Sequence, residues 1–107
     1  MSLPNNISAY GDCIKYFDDA VAAPRGIRIP VGSDGEAHHL RLRLNHARVL
    51  LRDEAKRLYE RNDPRWGKSE YDAFRVTKRD PASGPGEPGG WVYIEPWVST
   101  VEEPEEL

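Results

Sequence analysis

The feature that most limits the fold is a long stretch without a helix breaker. From Glu36 to Arg61 the chain contains neither glycine nor proline. With about 100° of rotation per residue, apolar side chains in this stretch return to one side of a helix. They are Leu40, Leu44, Ala47, Leu51, Ala55 and Leu58. The spacing predicts one long amphipathic helix, in which only Asn45-His46 offers a place for an internal turn.

Shorter elements are predicted around this helix. A first helix ends at Pro24, because proline cannot continue it. Apolar residues alternate across 27–31 as in a strand, and Pro30 makes it an edge strand because proline has no N–H to donate. Two further strands are predicted at 71–77 and 91–97, on either side of a loop rich in proline and glycine.

The predicted order is helix, strand, long helix, strand, strand. This order indicates an α+β fold in which a small antiparallel sheet packs on two helices. It matches a winged-helix domain in topology, although winged helices have two short helices and a turn where this chain has one long helix. Residues 1–98 are predicted to form a single domain, and 99–107 a disordered acidic tail.

The alternation also predicts which side chains share a face of the sheet. One face packs against the helices through Ile27, Ile29, Phe74, Val76, Val92 and Ile94. The opposite face then carries Arg28, Arg75, Thr77, Trp91, Tyr93 and Trp97.

Charge is distributed unevenly along the chain. Residues 1–24 carry a net charge of −2, residues 25–79 a net charge of +6, and residues 80–107 a net charge of −7, which sum to −3. A basic centre favours a nucleic-acid partner, with the glutamate-rich tail as a competitor for the same surface. The alternative is a solvated basic helix beside an acidic end.

Cations flank the apolar stripe of the long helix. Such a density suits contacts with a phosphate backbone, and duplex DNA is the favoured partner. The predicted nucleic-acid-binding residues are Arg41, Arg48, Arg52 and Lys56 on one flank, with Arg65 and Lys68 extending the charge beyond the helix, and the 78–90 loop acts as a wing or clamp. In the alternative, these side chains pair with the chain's own acids, as Arg57 can with Asp53.

Two apolar or aromatic surfaces are further candidates for docking. Arg75, Trp91 and Tyr93 on the outer sheet face can stack unpaired bases or anchor a host protein, and they are the predicted protein-binding residues. In the alternative, the tail or the proline-rich loop folds over these side chains. Leu42 and Val49 point away from the main stripe of the long helix, so another element is needed to bury them. The first helix is the predicted cover, and a second copy in a homodimer is the alternative.

No pattern indicates catalysis, so a non-enzymatic protein without metal or cofactor is predicted. Gly67-Lys68-Ser69 resembles the end of a phosphate-binding loop, but it follows a helix and precedes a strand, the reverse of what that loop needs. It is interpreted as a turn. The chain shows no secretion signal and no membrane span. Because the single cysteine, Cys13, cannot form an internal disulfide, a cytoplasmic location is predicted.

The run LRLRLNHARVLLRDEAKRLYERNDPRWGKSEYDAF, followed after a loop by WVYIEP, resembles small uncharacterised proteins of phages and prophages. Those proteins share an arginine-rich helix, a Ser-x-Tyr-Asp turn and a closing strand. The resemblance covers roughly residues 25–97. It implies a mobile-element setting and no particular activity or functional residue.

Overall fold

The computed structural model describes residues 3–79 and 89–97. A short 3₁₀ helix, Ile7–Tyr10, leads into α1 (Gly11–Ala22). The remaining elements are β1 (Ile27–Val31), α2 (Asp34–Leu58), β2 (Phe74–Arg79) and β3 (Gly90–Pro96). The predicted α+β fold, with two helices and a small antiparallel sheet, is confirmed. The predicted acidic tail and most of the predicted wing loop lie outside the described residues.

The long helix α2 is continuous, without a turn at Asn45-His46. Its start is fixed by a reciprocal pair of hydrogen bonds of the capping-box kind. The Ser33 hydroxyl accepts from the Glu36 backbone N–H at 3.1 Å, and the Glu36 carboxylate accepts from the Gly32 N–H at 2.7 Å. A winged helix would divide this segment into two helices, so the comparison with that family extends only to the order of elements.

The three strands form an antiparallel sheet in the order β1-β3-β2. Pro30 therefore lies in an edge strand, as predicted. The predicted division of the two faces is also confirmed. The inner face buries Ile29, Phe74, Val76, Val92 and Ile94 against the helices.

The core between the sheet and the helices centres on large side chains with no exposed surface. Tyr10 and Phe17 come from the N-terminal helices and Leu44 from α2. The rings of Phe17 and Tyr71 stack at 4.7 Å, which brings the turn before β2 onto α1. Leu58, predicted to lie on the buried stripe, is instead 67% exposed, because α2 ends there.

The predicted cover of Leu42 and Val49 by the first helix is wrong. Both side chains remain about two-fifths exposed, at 43% and 41%. The reason is that α1 packs on another side of α2, where the Arg43 guanidinium binds the Asp12 carboxylate at 2.6 Å and 3.0 Å. A homodimer through this face stays a prediction.

The segment between α2 and β2 forms a series of tight turns. The Trp66 N–H donates to the Asp63 carbonyl at 3.0 Å, and the Lys68 N–H donates to the Arg65 carbonyl at 3.2 Å. Gly67 has a φ of +68°, a conformation that glycine adopts without strain. The interpretation of Gly67-Lys68-Ser69 as a turn is confirmed.

Candidate nucleic-acid-binding surface

Arg48 is used inside the fold. Its guanidinium donates to the carbonyls of Tyr71 at 3.2 Å and Phe74 at 2.5 Å, and to the Asn45 side chain at 2.5 Å. Burial lowers the pKa of this guanidinium from its ordinary value. These bonds fasten α2 to the start of β2, so few donors of Arg48 remain for a phosphate.

Arg52 is also engaged by the chain itself. Its Nε and Nη2 atoms lie 2.8 Å and 2.7 Å from Asp72 Oδ1, and Asp72 Oδ2 accepts from the Ser69 N–H at 3.0 Å. Although burial opposes the shift, these hydrogen bonds lower the pKa of Asp72. Arg52 therefore holds the turn before β2. Its contact with nucleic acid stays a prediction.

The other predicted phosphate contacts, Arg41, Lys56, Arg65 and Lys68, lie at the surface. Arg41 and Lys68 are exposed and make no ion pair with the described residues. The Lys56 ammonium lies 5.3 Å from the centre of the Trp66 ring. Arg65 is bound by Asp63 through two side-chain bonds, which lower the pKa of Asp63 to about 2.

Acidic side chains interrupt this basic surface. Around the C-terminal part of α2 and the following turns, exposed or half-exposed carboxylates alternate with the cations: Asp53, Glu54, Glu60 and Glu70. A cavity of about 440 Å³ there is lined by cationic, acidic and apolar side chains together. The charges of this region largely cancel, which weakens its long-range attraction for a polyanion.

The outer face of the sheet has a more regular arrangement. The Arg28 guanidinium lies 4.1 Å from the centre of the Trp91 ring, and the Arg79 guanidinium lies 3.8 Å from the centre of the Tyr93 ring. In the sheet register Arg28 is opposite Tyr93, and Arg79 is opposite Trp91. Each arginine of an edge strand therefore stacks diagonally on an aromatic residue of the central strand. We call these four side chains the cation–aromatic ladder.

Positive charge predominates around the ladder. Within the described residues, four arginines lie on this face or at its margin and a single carboxylate lies among them. Glu95 accepts from Arg79 at 2.9 Å and lies 3.8 Å from Arg75. A cavity of about 260 Å³ at the β1 edge is lined in part by Arg25, Arg28 and Tyr93.

The outer face is not covered by the described elements, because both helices pack against the inner face. Beneath its surface, Arg75 Nε and Thr77 Oγ1 are buried without a hydrogen-bond partner among the described residues. Buried polar groups normally have partners. Because both atoms are buried, they are not offered to a ligand at the surface of this face.

The sequence alone identified three members of this face as a site, namely Arg75, Trp91 and Tyr93. It missed the part played by Arg28 and Arg79. β2 was predicted to end at Thr77, but it continues to Arg79. Arg79 could have been assigned to this face from the sequence, because alternate residues of a strand lie on the same face and Arg79 follows Arg75 and Thr77 at that spacing.

The described part of the chain gives little support for a metal site, a reactive cysteine or a membrane span. Within it, no group of three or more His, Cys, Asp or Glu side chains is placed to hold a metal ion. His46 contacts the Asn5 side chain at 3.0 Å. The Cys13 thiol is buried, which raises its pKa to about 11. No helix among residues 3–79 and 89–97 has the length and apolar character to cross a membrane.

The fold and this surface define a two-layer α+β module with an arginine-rich aromatic sheet face. Comparisons of the chain with models of protein families, with curated proteins and with solved structures found no match.

Proposed function

We propose that the protein is a non-enzymatic module that binds single-stranded nucleic acid across the outer face of its sheet. The observation that carries this proposal is the cation–aromatic ladder, which lies on a face that the described helices and strands leave uncovered and on which described arginines outnumber carboxylates. A cytoplasmic location and a phage-type setting, as predicted from the sequence, belong to the same proposal.

Unpaired bases have the flat apolar faces that such a surface accepts. The guanidinium groups of Arg28 and Arg79 lie over the rings of Trp91 and Tyr93, so a base would stack either on a guanidinium group or on the ring surface that it leaves open. Base stacking on an aromatic side chain contributes about 1–3 kcal/mol per base and depends little on sequence. Arginines at the margin, such as Arg25, would contact the phosphates.

Binding to duplex DNA through α2 is the weaker proposal. It requires Arg48 and Arg52 to face the phosphates, and both guanidinium groups bind acceptors of the chain itself. A host protein docking on the Trp91 and Tyr93 face is the other alternative. The excess of arginine over acid on that face favours a polyanion over an ordinary protein surface.

Fluorescence anisotropy of a labelled single-stranded oligonucleotide tests the proposal. We expect Trp91→Ala to weaken binding at least about tenfold at low salt, because one stacking platform is lost. Arg41→Ala and Lys68→Ala, which change exposed cations away from the sheet face, are matched controls expected to stay within about twofold. Thermal unfolding of each variant verifies that the fold is retained.

Each other outcome rejects the proposal in a distinct way. If Arg41→Ala and Lys68→Ala weaken binding as much as Trp91→Ala does, the basic surface of α2 and the turns that follow it is the binding surface. If a duplex of the same sequence binds more tightly than the single strand, the duplex mode is correct. If no oligonucleotide binds at low salt and Trp91→Ala abolishes capture of a defined protein partner, the face serves protein recognition.

A further inference from the structure

The cation–aromatic ladder consists of two stacked pairs at a spacing that the strand fixes. Arg28 with Trp91 forms one pair, and Arg79 with Tyr93 forms the other. Trp91 and Tyr93 are two residues apart in β3, so their Cα atoms are about 6.8 Å apart along the strand. Val92, between them, is fully buried on the inner face. No side chain of β3 therefore separates the two pairs on the outer face.

The next residues of β3 limit the ladder to these two pairs. The outer-face position that follows Tyr93 is Glu95, whose carboxylate accepts from Arg79 at 2.9 Å. A carboxylate repels the phosphate of a neighbouring nucleotide, and it has no flat apolar surface on which a base can stack. The next described aromatic residue along the chain, Trp97, comes only after Glu95. The ladder therefore offers surfaces for two neighbouring bases.

The spacing of the two pairs differs from the spacing of stacked bases. Consecutive bases of a stacked strand are about 3.4 Å apart. Two neighbouring bases that rest on the two pairs are about twice as far apart, a separation that an extended sugar–phosphate backbone can span. They no longer stack on each other, so binding costs the stacking free energy that the free strand had between them. Stacking strength and backbone flexibility produce preferences such as that for pyrimidine runs, because pyrimidines stack weakly and adenines strongly.

We propose that the ladder binds two consecutive unstacked bases and thereby selects pyrimidine-rich single strands over adenine-rich ones. This selectivity rests on the proposed function, since it specifies which single strands the outer face binds. It arises from stacking within the ligand and requires no hydrogen bond to a base edge. Strands of equal length carry the same number of phosphates, so the electrostatic contribution to binding is the same for both.

The selectivity is tested with oligo(dT) and oligo(dA) of equal length, each about eight nucleotides. Fluorescence anisotropy gives the Kd of the full chain for each strand. We expect oligo(dT) to bind about fivefold more tightly than oligo(dA), and this ratio to stay constant when salt lowers both affinities.

Removal of one pair tests whether the two pairs together cause the selectivity. Trp91→Ala leaves a surface for a single base, so neighbouring bases no longer need to separate. It should weaken oligo(dT) binding about tenfold but oligo(dA) binding only about twofold, which brings the ratio of the two Kd values to about one. Tyr93→Ala removes the other pair and should lower the ratio in the same way. Arg41→Ala, which changes an exposed cation away from the sheet, is the matched control and should leave the ratio at about five.

Thermal unfolding of each variant verifies that the fold is retained. Equal affinity of the unaltered chain for the two strands, or tighter binding of oligo(dA), would overturn the selectivity. A ratio that neither Trp91→Ala nor Tyr93→Ala changes would also overturn it, because the preference would then arise elsewhere on the chain.

The selectivity and the proposed function fail in different ways. If neither oligonucleotide binds at low salt, the proposed function is wrong and the selectivity is rejected with it. If both strands bind equally and Trp91→Ala weakens both to the same extent, the selectivity is wrong and the proposed function stands.

Discussion

Replacement of Arg48 by alanine provides the sharpest test of how the arginines of α2 are used. The guanidinium makes three hydrogen bonds, to the carbonyls of Tyr71 and Phe74 and to the Asn45 side chain. Hydrogen bonds of a charged group contribute about 1.5–3 kcal/mol each, and the desolvation of the buried charge offsets part of the sum. The Arg48 guanidinium also lies 5.6 Å from the centre of the Phe17 ring, and this contact is lost as well.

We therefore expect Arg48→Ala to lower the free energy of unfolding by about 3 kcal/mol, a large share of the roughly 5–15 kcal/mol typical of a domain. The corresponding fall in Tm is on the order of 10 °C. Urea unfolding followed by tryptophan fluorescence measures the change. Arg48→Lys keeps the charge but cannot fork between the acceptors, so an intermediate loss is expected.

Arg41→Ala is the control for Arg48→Ala, because Arg41 is exposed and makes no ion pair with the described residues. It should change the free energy of unfolding by less than about 0.5 kcal/mol. A loss below about 1 kcal/mol for Arg48→Ala would refute the structural role derived from its three hydrogen bonds. Arg48 would then again be a candidate for ligand binding.

Three further predictions concern other parts of the fold. Gly26→Ala should destabilise by at least about 2 kcal/mol in urea unfolding, since φ is +83° and a Cβ atom would lie 2.0 Å from the Ile94 carbonyl oxygen; a neutral change would contradict this close approach. Burial, together with the hydrogen bond to Asp18, raises the pKa of Tyr71. The unfolded phenol ionises near pH 10 while the folded one stays protonated, so stability is lost as the pH rises above about 10. Tyr71→Phe should reduce this slope, and an unchanged slope would be evidence against it. Cys13 should react with a thiol reagent at pH 8 only as fast as the chain unfolds, and immediate reaction would show that the thiol is accessible.

Much of the fold was predictable because local periodicity determines it. The breaker-free stretch and its apolar stripe predicted α2, and the alternation of Val92 and Ile94 with Trp91 and Tyr93 predicted both faces of β3. The strand order was not predictable, since the pairing of β1 with β3 joins residues far apart in the chain. The side of α2 against which α1 packs was also not predictable from the sequence, because it depends on the long-range ion pair between Arg43 and Asp12.

The candidate site was predictable only in part. A helical wheel predicts the side of α2 from which Arg48 and Arg52 project. It does not predict whether a hydrogen-bond acceptor lies within reach of them. Those acceptors belong to the turn before β2, whose path no periodic pattern encodes. Arg75, Trp91 and Tyr93 were identified because strand parity alone places them on one face. The diagonal stacking of Arg28 and Arg79 required the register between strands.

The strand order has a consequence for how the chain folds. β3 lies between β1 and β2, yet it is the last of the three to be synthesised. Until Gly90–Pro96 emerge from the ribosome, the hydrogen-bonding edges of β1 and β2 have no partner in the sheet. Helix α2 depends on local contacts and can form early, whereas the pairing of Ile27 with Ile94 closes a long loop. We therefore expect insertion of β3 to be the slow step in folding, and chains stalled before it to expose the edges that invite aggregation.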